Sequence, residues 1–472
     1  MLTRFEVSGF KNLRDVAVDF GSFTCIAGQN GVGKSNLFDA IQFMSHLASG
    51  TFREAIAAVR PAGGQRATQE SVLSEAVLAG RENLRLAAEV LLRPGLRLPT
   101  GPGESKPLAD RYLRYEVELA VDTSYQGARA RPIRLVSESL VSCSRPFLGP
   151  VPGAGGPTGH DRYIETMTCS TVFDEDGEEI SWDDFVFLYG QGLEAASLEA
   201  GELPIAPDVQ DPARYMDQTV LRAALNGTLP YAVAEEMRSW RFMALEPGLI
   251  RAADDKDEEP RLAGSGAHLP ALFASQVEEH GNQVYADLRL ALTDLLDLRD
   301  LRVRPNGDFL ELWAQVGDAP DLPARALSDG TLRMLVLGAL AAASQYSGAV
   351  FIEEPENGVH PGLLHHLLDL LRHMSEARDG APRQVIINTH SPYLVQDVME
   401  DHGDDVLCAV RWRRREPDGR ISESVTFNPL PDTWRAQDWE RSEDRPRSCA
   451  PVSASRLVSF LSNPLVEADE DE

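Results

Sequence analysis

Lysine is almost missing from this chain of 472 residues: only Lys11, Lys34, Lys106 and Lys256 occur, and every other basic residue is arginine. A lysine ammonium is a compact point charge that fits where a planar guanidinium does not, so each of the four marks a place to examine. Positive charge is short overall, with 73 acidic residues against 45 basic ones and a net charge of −28. That balance opposes general binding to a nucleic-acid backbone, whose affinity comes from clustered Lys and Arg. Any DNA contact must be local, and the one dense basic run is RWRRR, Arg411 to Arg415 around Trp412. It reads either as a solvated strand face or as a nucleic-acid or partner contact. The five cysteines, Cys25, Cys143, Cys169, Cys408 and Cys449, have no paired spacing. This excludes a disulfide framework and a zinc site and leaves them as small buried apolar residues. The longest apolar stretch, around MLVLGALAAA, is too short to cross a bilayer, and the opening MLTRFEVSGFKNLRDV carries charges where a signal peptide needs an apolar run. The expected location is the cytoplasm, with no membrane partner. No internal repeat and no sustained heptad pattern occurs, which excludes a long coiled-coil arm.

What is present is ordinary soluble composition, 43% hydrophobic and 25% charged, in a length that accommodates two or three domains or one domain with a large insertion. The first residues alternate apolar and polar, and FTCIA then leads through GQNGVGKSN into the apolar-periodic LFDAIQFMSHLA: strand, glycine loop, helix. From about residue 80 to 190, strand-like runs (LRLAAEVLL, RYEVELAV, IRLVSESLVS, DRYIETMTCS) alternate with Pro/Gly stretches, as in an antiparallel sheet with long loops. QTVLRAAL and YAVAEEMRSW read as helices and AADDKDEEPRLAGSG as a mobile linker. After residue 267 the pattern is helix over LPALFASQVEEHGNQVYADLRLALTDLL, hairpin, then helices alternating with the strands GAVFI and QVIIN. That alternation implies a parallel sheet covered on both faces. The acidic end EADEDE reads as a solubilising tail.

Four stretches carry chemistry. GQNGVGKS, Gly28 to Ser35, matches the complete phosphate-loop pattern in its required place between strand and helix. Gly31 and Gly33 let the backbone turn its N–H groups toward a phosphate, Lys34 adds a charge, and the Ser35 hydroxyl is offered to Mg²⁺. In FIEEPENGVHP an apolar strand runs into carboxylates, which is where Mg²⁺ and an attacking water belong. Glu353 is the expected metal ligand, acting through water, and Glu354 the group that polarises the attacking water; Glu356 reads as solvent-facing. ALSDGTLRMLVLG offers Ser328 as a helix N-cap followed by Asp329 and Gly330, an anion site or a plain cap. QVIINTHSPYLV ends a buried strand in Thr389, His390 and Ser391, with His390 either structural or a γ-phosphate contact.

Together these stretches resemble the ABC-type ATPase heads of the RecF/SMC/OLD group, and most closely compact AAA family ATPases of RecF-like or OLD-like type. The segment GFKNLRDVAVDFGSFTCIAGQNGVGKSNLFDAI is similar to that group's opening, LSDGTLR to its signature motif, FIEEPENGVHP to its Walker B segment and D-loop, and NTHSPYLV to its switch-histidine region. RFMALEPGLIR and SGAHLPALF look like further landmarks. The resemblance covers residues 1 to about 400, with a poorly matched middle. It implies an α/β P-loop NTPase fold, an ABC-ATPase head whose mixed, mainly parallel core sheet carries an inserted antiparallel β and helical region. The implied division is residues 1–50 and 245–430 as a discontinuous ATPase core, 51–244 as the insertion, and 431–472 as a C-terminal extension with an acidic tail.

The resemblance also implies ATP and Mg²⁺ as cofactors, and a homodimer in which Ser328 and Gly330 of one copy close on the γ-phosphate held by the other. Gly28, Asn30, Gly31, Gly33, Lys34, Ser35 and Asn36 would hold the nucleotide, Lys11 would lie near it, Ser35 and Glu353 would hold the metal, and Glu354 and His390 would serve hydrolysis. His360 falls in the D-loop, either at the dimer seam or simply opening a helix. Gln218 and Gln191 are the alternatives for the Q-loop glutamine. About 80 residues follow His390, without an acidic arrangement of a nuclease. The expected function is an ATPase acting in DNA repair or anti-phage defence with a separate effector or repair partner. The alternatives are a transporter's nucleotide-binding subunit, against which about 290 residues between phosphate loop and signature weigh, and a non-hydrolysing ATP-dependent scaffold.

Overall fold

The alternating opening folds into strands. The computed structural model describes residues 1–59, 66–93, 95–101, 104–108, 111–125, 131–143, 172–173, 179–180, 218–224, 229–343, 348–377, 383–415, 421–441 and 449–462. In it β1 (Leu2–Ser8) pairs antiparallel with β2 (Val16–Asp19), and β3 (Phe23–Ala27) is buried along its whole length. The glycine loop then opens α1 (Lys34–Leu47), which buries Leu37, Phe38, Ile41, Phe43 and Met44.

Three of the four expected strands follow: β4 (Leu84–Leu91), β5 (Tyr112–Val121) and β6 (Ile133–Ser142). With β1 and β2 they make a five-stranded antiparallel sheet in the order β2-β1-β4-β5-β6. Residues 2–19 thus share a sheet with residues 84–142, across the boundary expected near residue 50. DRYIETMTCS, Cys169 within it, Gln191 and the acidic tail lie outside the described residues.

QTVLRAAL forms only a short 3₁₀ turn, Leu221–Ala223, where a helix was expected. The buried carboxylate of Glu138 on β6 accepts from the N–H groups of Val220 at 2.7 Å and Leu221 at 2.8 Å, so tertiary contact replaces the helical ladder. YAVAEEMRSW does form a helix, Leu229–Arg238, followed by β7 (Arg241–Met243). The expected mobile linker is anchored at Asp254 and Leu262, with residues 255–261 exposed between them. Asp254 is 5% exposed, accepts from the Ala271 N–H at 2.9 Å and meets His268 at 3.2 Å, and Leu262 is buried. The long helix expected after residue 267 is two, Leu269–His280 and Gln283–Ala291, because Gly281 adopts φ +68° and ends the first.

The hairpin β8 (Leu298–Asn306) and β9 (Phe309–Val316) precedes α2 (Asp329–Ala342), then β10 (Gly348–Glu353), β11 (Arg383–Thr389), β12 (Val406–Arg415) and β13 (Ile421–Pro429). The central sheet runs β7-β10-β11-β3-β12-β13, parallel throughout except for β13. One face packs α1 and the antiparallel sheet, with Phe38 edge-on to Phe351 at 5.3 Å. The other packs α2 and the helices Leu364–Ser375 and Pro392–His402. This is the mixed α/β P-loop architecture the motifs implied.

The segment after β13 contains the helix Trp434–Arg441 and α3 (Ala454–Ser462). Arg435 is 5% exposed, and its guanidinium donates to the carbonyls of Asp19 and Asp404 and to the Thr24 hydroxyl. A buried arginine that finds partners on three separated segments leaves no periodicity to read in the sequence. Cys25 and Cys408 are buried as expected, whereas Cys143 and Cys449 are half-buried.

Candidate nucleotide site

Parallel pairing sets the geometry. Ile26 on β3 stands beside Asn388 on β11, and Asn388 stands beside Glu353 on β10, so the phosphate loop, the His390 turn and the acidic turn leave the sheet at the same edge. Gly28 donates its N–H to the Thr389 carbonyl at 3.2 Å. Gly31 and Gly33 adopt φ +76° and +121°, values that admit glycine. A Cβ at Gly33 would stand 2.8 Å from the Asn12 amide nitrogen and would have to displace that side chain. Asn30 and Gly31 are exposed at the tip of the loop and Ser35 is half-buried.

Lys34 is 5% exposed and folds back, Nζ donating to the Gly28 carbonyl at 2.6 Å and the Gln29 carbonyl at 2.8 Å. Burial lowers its pKa, while the charges of Glu354, Glu356 and Glu353 favour the ammonium. The loop lysine and the acidic turn therefore act on one another across one site. Asn36 donates to the Asn12 side chain at 2.7 Å, which ties α1 to the turn after β1. Lys11, in that turn, spends its charge on buried Asp39 of α1 at 2.6 Å.

Glu354 has φ +44°, a conformation that non-glycine residues rarely hold. Its N–H donates to the backbone and side-chain oxygens of Asn388 at 3.0 and 3.2 Å. Its carboxylate meets His390 Nδ1 at 2.9 Å and accepts from the Asn357 amide at 2.7 Å. Both Glu354 and His390 remain about one-third exposed, at 33% and 38% of their side chains. Glu356, expected to face solvent, is instead 7% exposed and accepts from the Thr389 hydroxyl. Burial raises its pKa, opposed by the Thr389 bond. The preceding strand, buried on both faces, gave no hint of this, because the partner that buries Glu356 is Thr389 on a neighbouring strand.

Ser328 is exposed and caps α2, accepting from the Thr331 N–H at 3.1 Å. Gly330 packs so closely on Gly358 that a Cβ would stand 2.3 Å from the Gly358 carbonyl, joining the signature and the D-loop in one unit. His360 is exposed and caps a 3₁₀ turn, accepting from the Gly362 N–H at 3.1 Å. Gln218 does not reach the loop: its neighbour Thr219 donates to the Leu47 carbonyl at 2.9 Å, at the far end of α1. A helix of fourteen residues puts that end about 20 Å from the phosphate loop. Gln29, which no sequence signal singled out, donates to the Phe460 carbonyl of α3 at 2.8 Å.

The donors fit magnesium. Ser35 and Glu353 supply hard oxygens, and among the described residues no group of three or more His, Cys, Asp or Glu forms a metal cage. A few protein oxygens completed by phosphates and water is the usual magnesium arrangement.

Comparison with known proteins finds similar sequence segments and solved structures. Residues 233–396 match the family described as "AAA domain, putative AbiEii toxin, Type IV TA system", and residues 4–53 match "AAA domain". The DNA replication and repair protein RecF of Bacteroides thetaiotaomicron is 42% identical over 50 residues, covering 10% of this chain and 14% of that protein. Structural maintenance of chromosomes protein 1 of Schizosaccharomyces pombe is 47% identical over 62 residues, 12% of this chain and 5% of that protein. The chain thus spans only a small fraction of these relatives. The SMC head bound to the C-winged helix domain of ScpA aligns over 90% of this chain and 97% of its own at 12% identity, with a TM-score of 0.42, and the SMC head of Thermotoga maritima over 91% and 98% at a TM-score of 0.37. The chain thus carries two segments similar to AAA domains and short stretches similar to parts of RecF and SMC proteins. No helix among the described residues is long and apolar enough to cross a membrane.

Proposed function

We propose that this protein binds ATP with Mg²⁺ and hydrolyses it in a site shared by two copies of the chain. The observation that carries the reading is the Glu354–His390 contact of 2.9 Å at the sheet edge that also bears Lys34. The positive φ of Glu354, one of five non-glycine residues with such a value among those described, supports it, since unfavourable φ values can persist where function fixes them. Lys34, Ser35, Asn36 and the N–H groups of Asn30, Gly31 and Gly33 hold the phosphates, Gly28, expected among them, instead ties the start of the loop to β11 through its N–H on Thr389, and Lys11 borders them. Ser35, and Glu353 through water, would hold magnesium, which when bound would offset phosphate charge. Glu354 takes the proton of the attacking water as its oxygen bonds to the γ-phosphorus and the bond to ADP breaks. His390 orients that carboxylate and contacts the γ-phosphate.

Exposed Ser328, with Gly330 fixed on the D-loop, is the surface that a second copy's nucleotide meets. ATP thereby assembles the dimer and hydrolysis releases it. The same reading keeps residues 1–50 and 245–430 as the ATPase core, 51–244 as the insertion and 431–472 as the extension. It places the protein in the cytoplasm, in repair or anti-phage defence, controlling a separate effector or repair protein; the net charge favours a protein partner over broad DNA contact. The test is the rate of Mg²⁺-dependent ATP hydrolysis per chain against protein concentration. It should climb and then level off as dimers form, whereas a rate independent of concentration would mean that one copy suffices.

A further inference from the structure

We propose that Arg411 is a further polyphosphate-binding residue, standing at the outer rim of the phosphate loop opposite Lys34; this rests on the nucleotide site proposed above. Strand β12 lies parallel beside β3, with Cys408 level with Ala27, the last residue of β3. The next three residues carry β12 about 10 Å further, alongside the loop. Ala409 touches it first: a Cβ at Gly28 would stand 2.8 Å from the Ala409 carbonyl. Two residues on and facing the same way, Arg411 places Nη2 3.2 Å from the Gly31 carbonyl. Its pairing with Val425 on β13 fixes the register of that position.

A guanidinium has five N–H donors, and this contact uses one. Arg411 is exposed and, among the described residues, forms no ion pair, unlike Arg413, which meets Glu423 at 2.9 Å. Basic residues of the run 411–415 are therefore not equivalent: one is neutralised and one is presented at the loop. Charge balance gives that arginine a task. The site holds Glu353, Glu354 and Glu356; Lys11 is committed to Asp39, half-buried Arg333 of α2 lies within the field of Glu354 and Glu356, and Lys34 is the buried cation of the loop itself, set against a triphosphate that carries several negative charges. A second cation at Gly31 offsets that repulsion, and an arginine–phosphate hydrogen bond is among the stronger polar contacts.

The experiment compares ATP and adenosine binding by the full chain with Arg411→Lys, Arg411→Gln, Arg411→Ala and, as a control, Lys34→Ala. A phosphate contact predicts that Arg411→Gln and Arg411→Ala each weaken ATP by about 10-fold, that Arg411→Lys recovers most of the loss, and that adenosine binding does not change. Full ATP affinity in Arg411→Gln, whose amide can still donate to the Gly31 carbonyl, would overturn the proposal by reducing Arg411 to a support of the loop. Unchanged affinity in Arg411→Ala would overturn it outright. If the unaltered chain shows no ATP binding that Lys34→Ala abolishes, the nucleotide site itself is wrong, a result distinct from either.

Discussion

Replacing Glu354 by glutamine is expected to slow ATP hydrolysis by roughly 10²-fold or more, the scale on which a general base contributes, while ATP still binds and the ATP-bound dimer accumulates. The substitution is close to isosteric. Glutamine keeps an oxygen that can accept from Asn357, now at 2.7 Å, and keeps an atom in reach of His390, now at 2.9 Å from the carboxylate. The backbone bonds from residue 354 to Asn388 do not involve the side chain and hold the turn in place. What disappears is the negative charge that accepts the water's proton. Single-turnover hydrolysis beside equilibrium ATP binding separates the two effects, and unchanged turnover would remove Glu354 from the role assigned to it.

The second large effect is at Ser328. Arginine there should leave ATP binding within a few-fold of normal and abolish turnover, because residue 328 is exposed on the surface offered to a second copy and lies apart from the chain's own phosphate loop in the shared-site reading. Loss of the Thr331 cap, now a 3.1 Å bond, costs about 1 kcal/mol of helix stability. Ser328→Ala suffers the same loss of the cap and of the hydroxyl without adding bulk or charge, so the further drop from alanine to arginine measures the obstruction of the shared site. Normal hydrolysis by Ser328→Arg would refute the shared site.

The parts of this site that were legible in the sequence are those built from local rules. The phosphate loop needs glycines at Gly31 and Gly33 for positive φ and a lysine at Lys34, and β10 announces itself as an apolar run ending in acids. Parallel strands buried on both faces also read plainly, as in β11, where every residue is buried. The parts that were not legible depend on partners distant in the chain. Glu356 is buried by Thr389, the turn at Leu221 is fixed by Glu138, and the segment after residue 252 is anchored by Asp254 holding the Ala271 N–H. Polar residues in acidic or irregular stretches look solvated until the fold supplies their partners. Arg411 belongs to both classes, visible as part of a basic run but distinguished from its neighbours only by the register of β12 on β3.

The central claim is that a triphosphate with its magnesium sits between Lys34 and the acidic turn. Calorimetric titration of Mg²⁺-ATP into the full chain and into Lys34→Ala tests it most directly: saturable binding by the first and its loss in the second is the predicted result, and an unaltered chain that takes up no ATP, or a Lys34→Ala chain that binds it equally well, would contradict it.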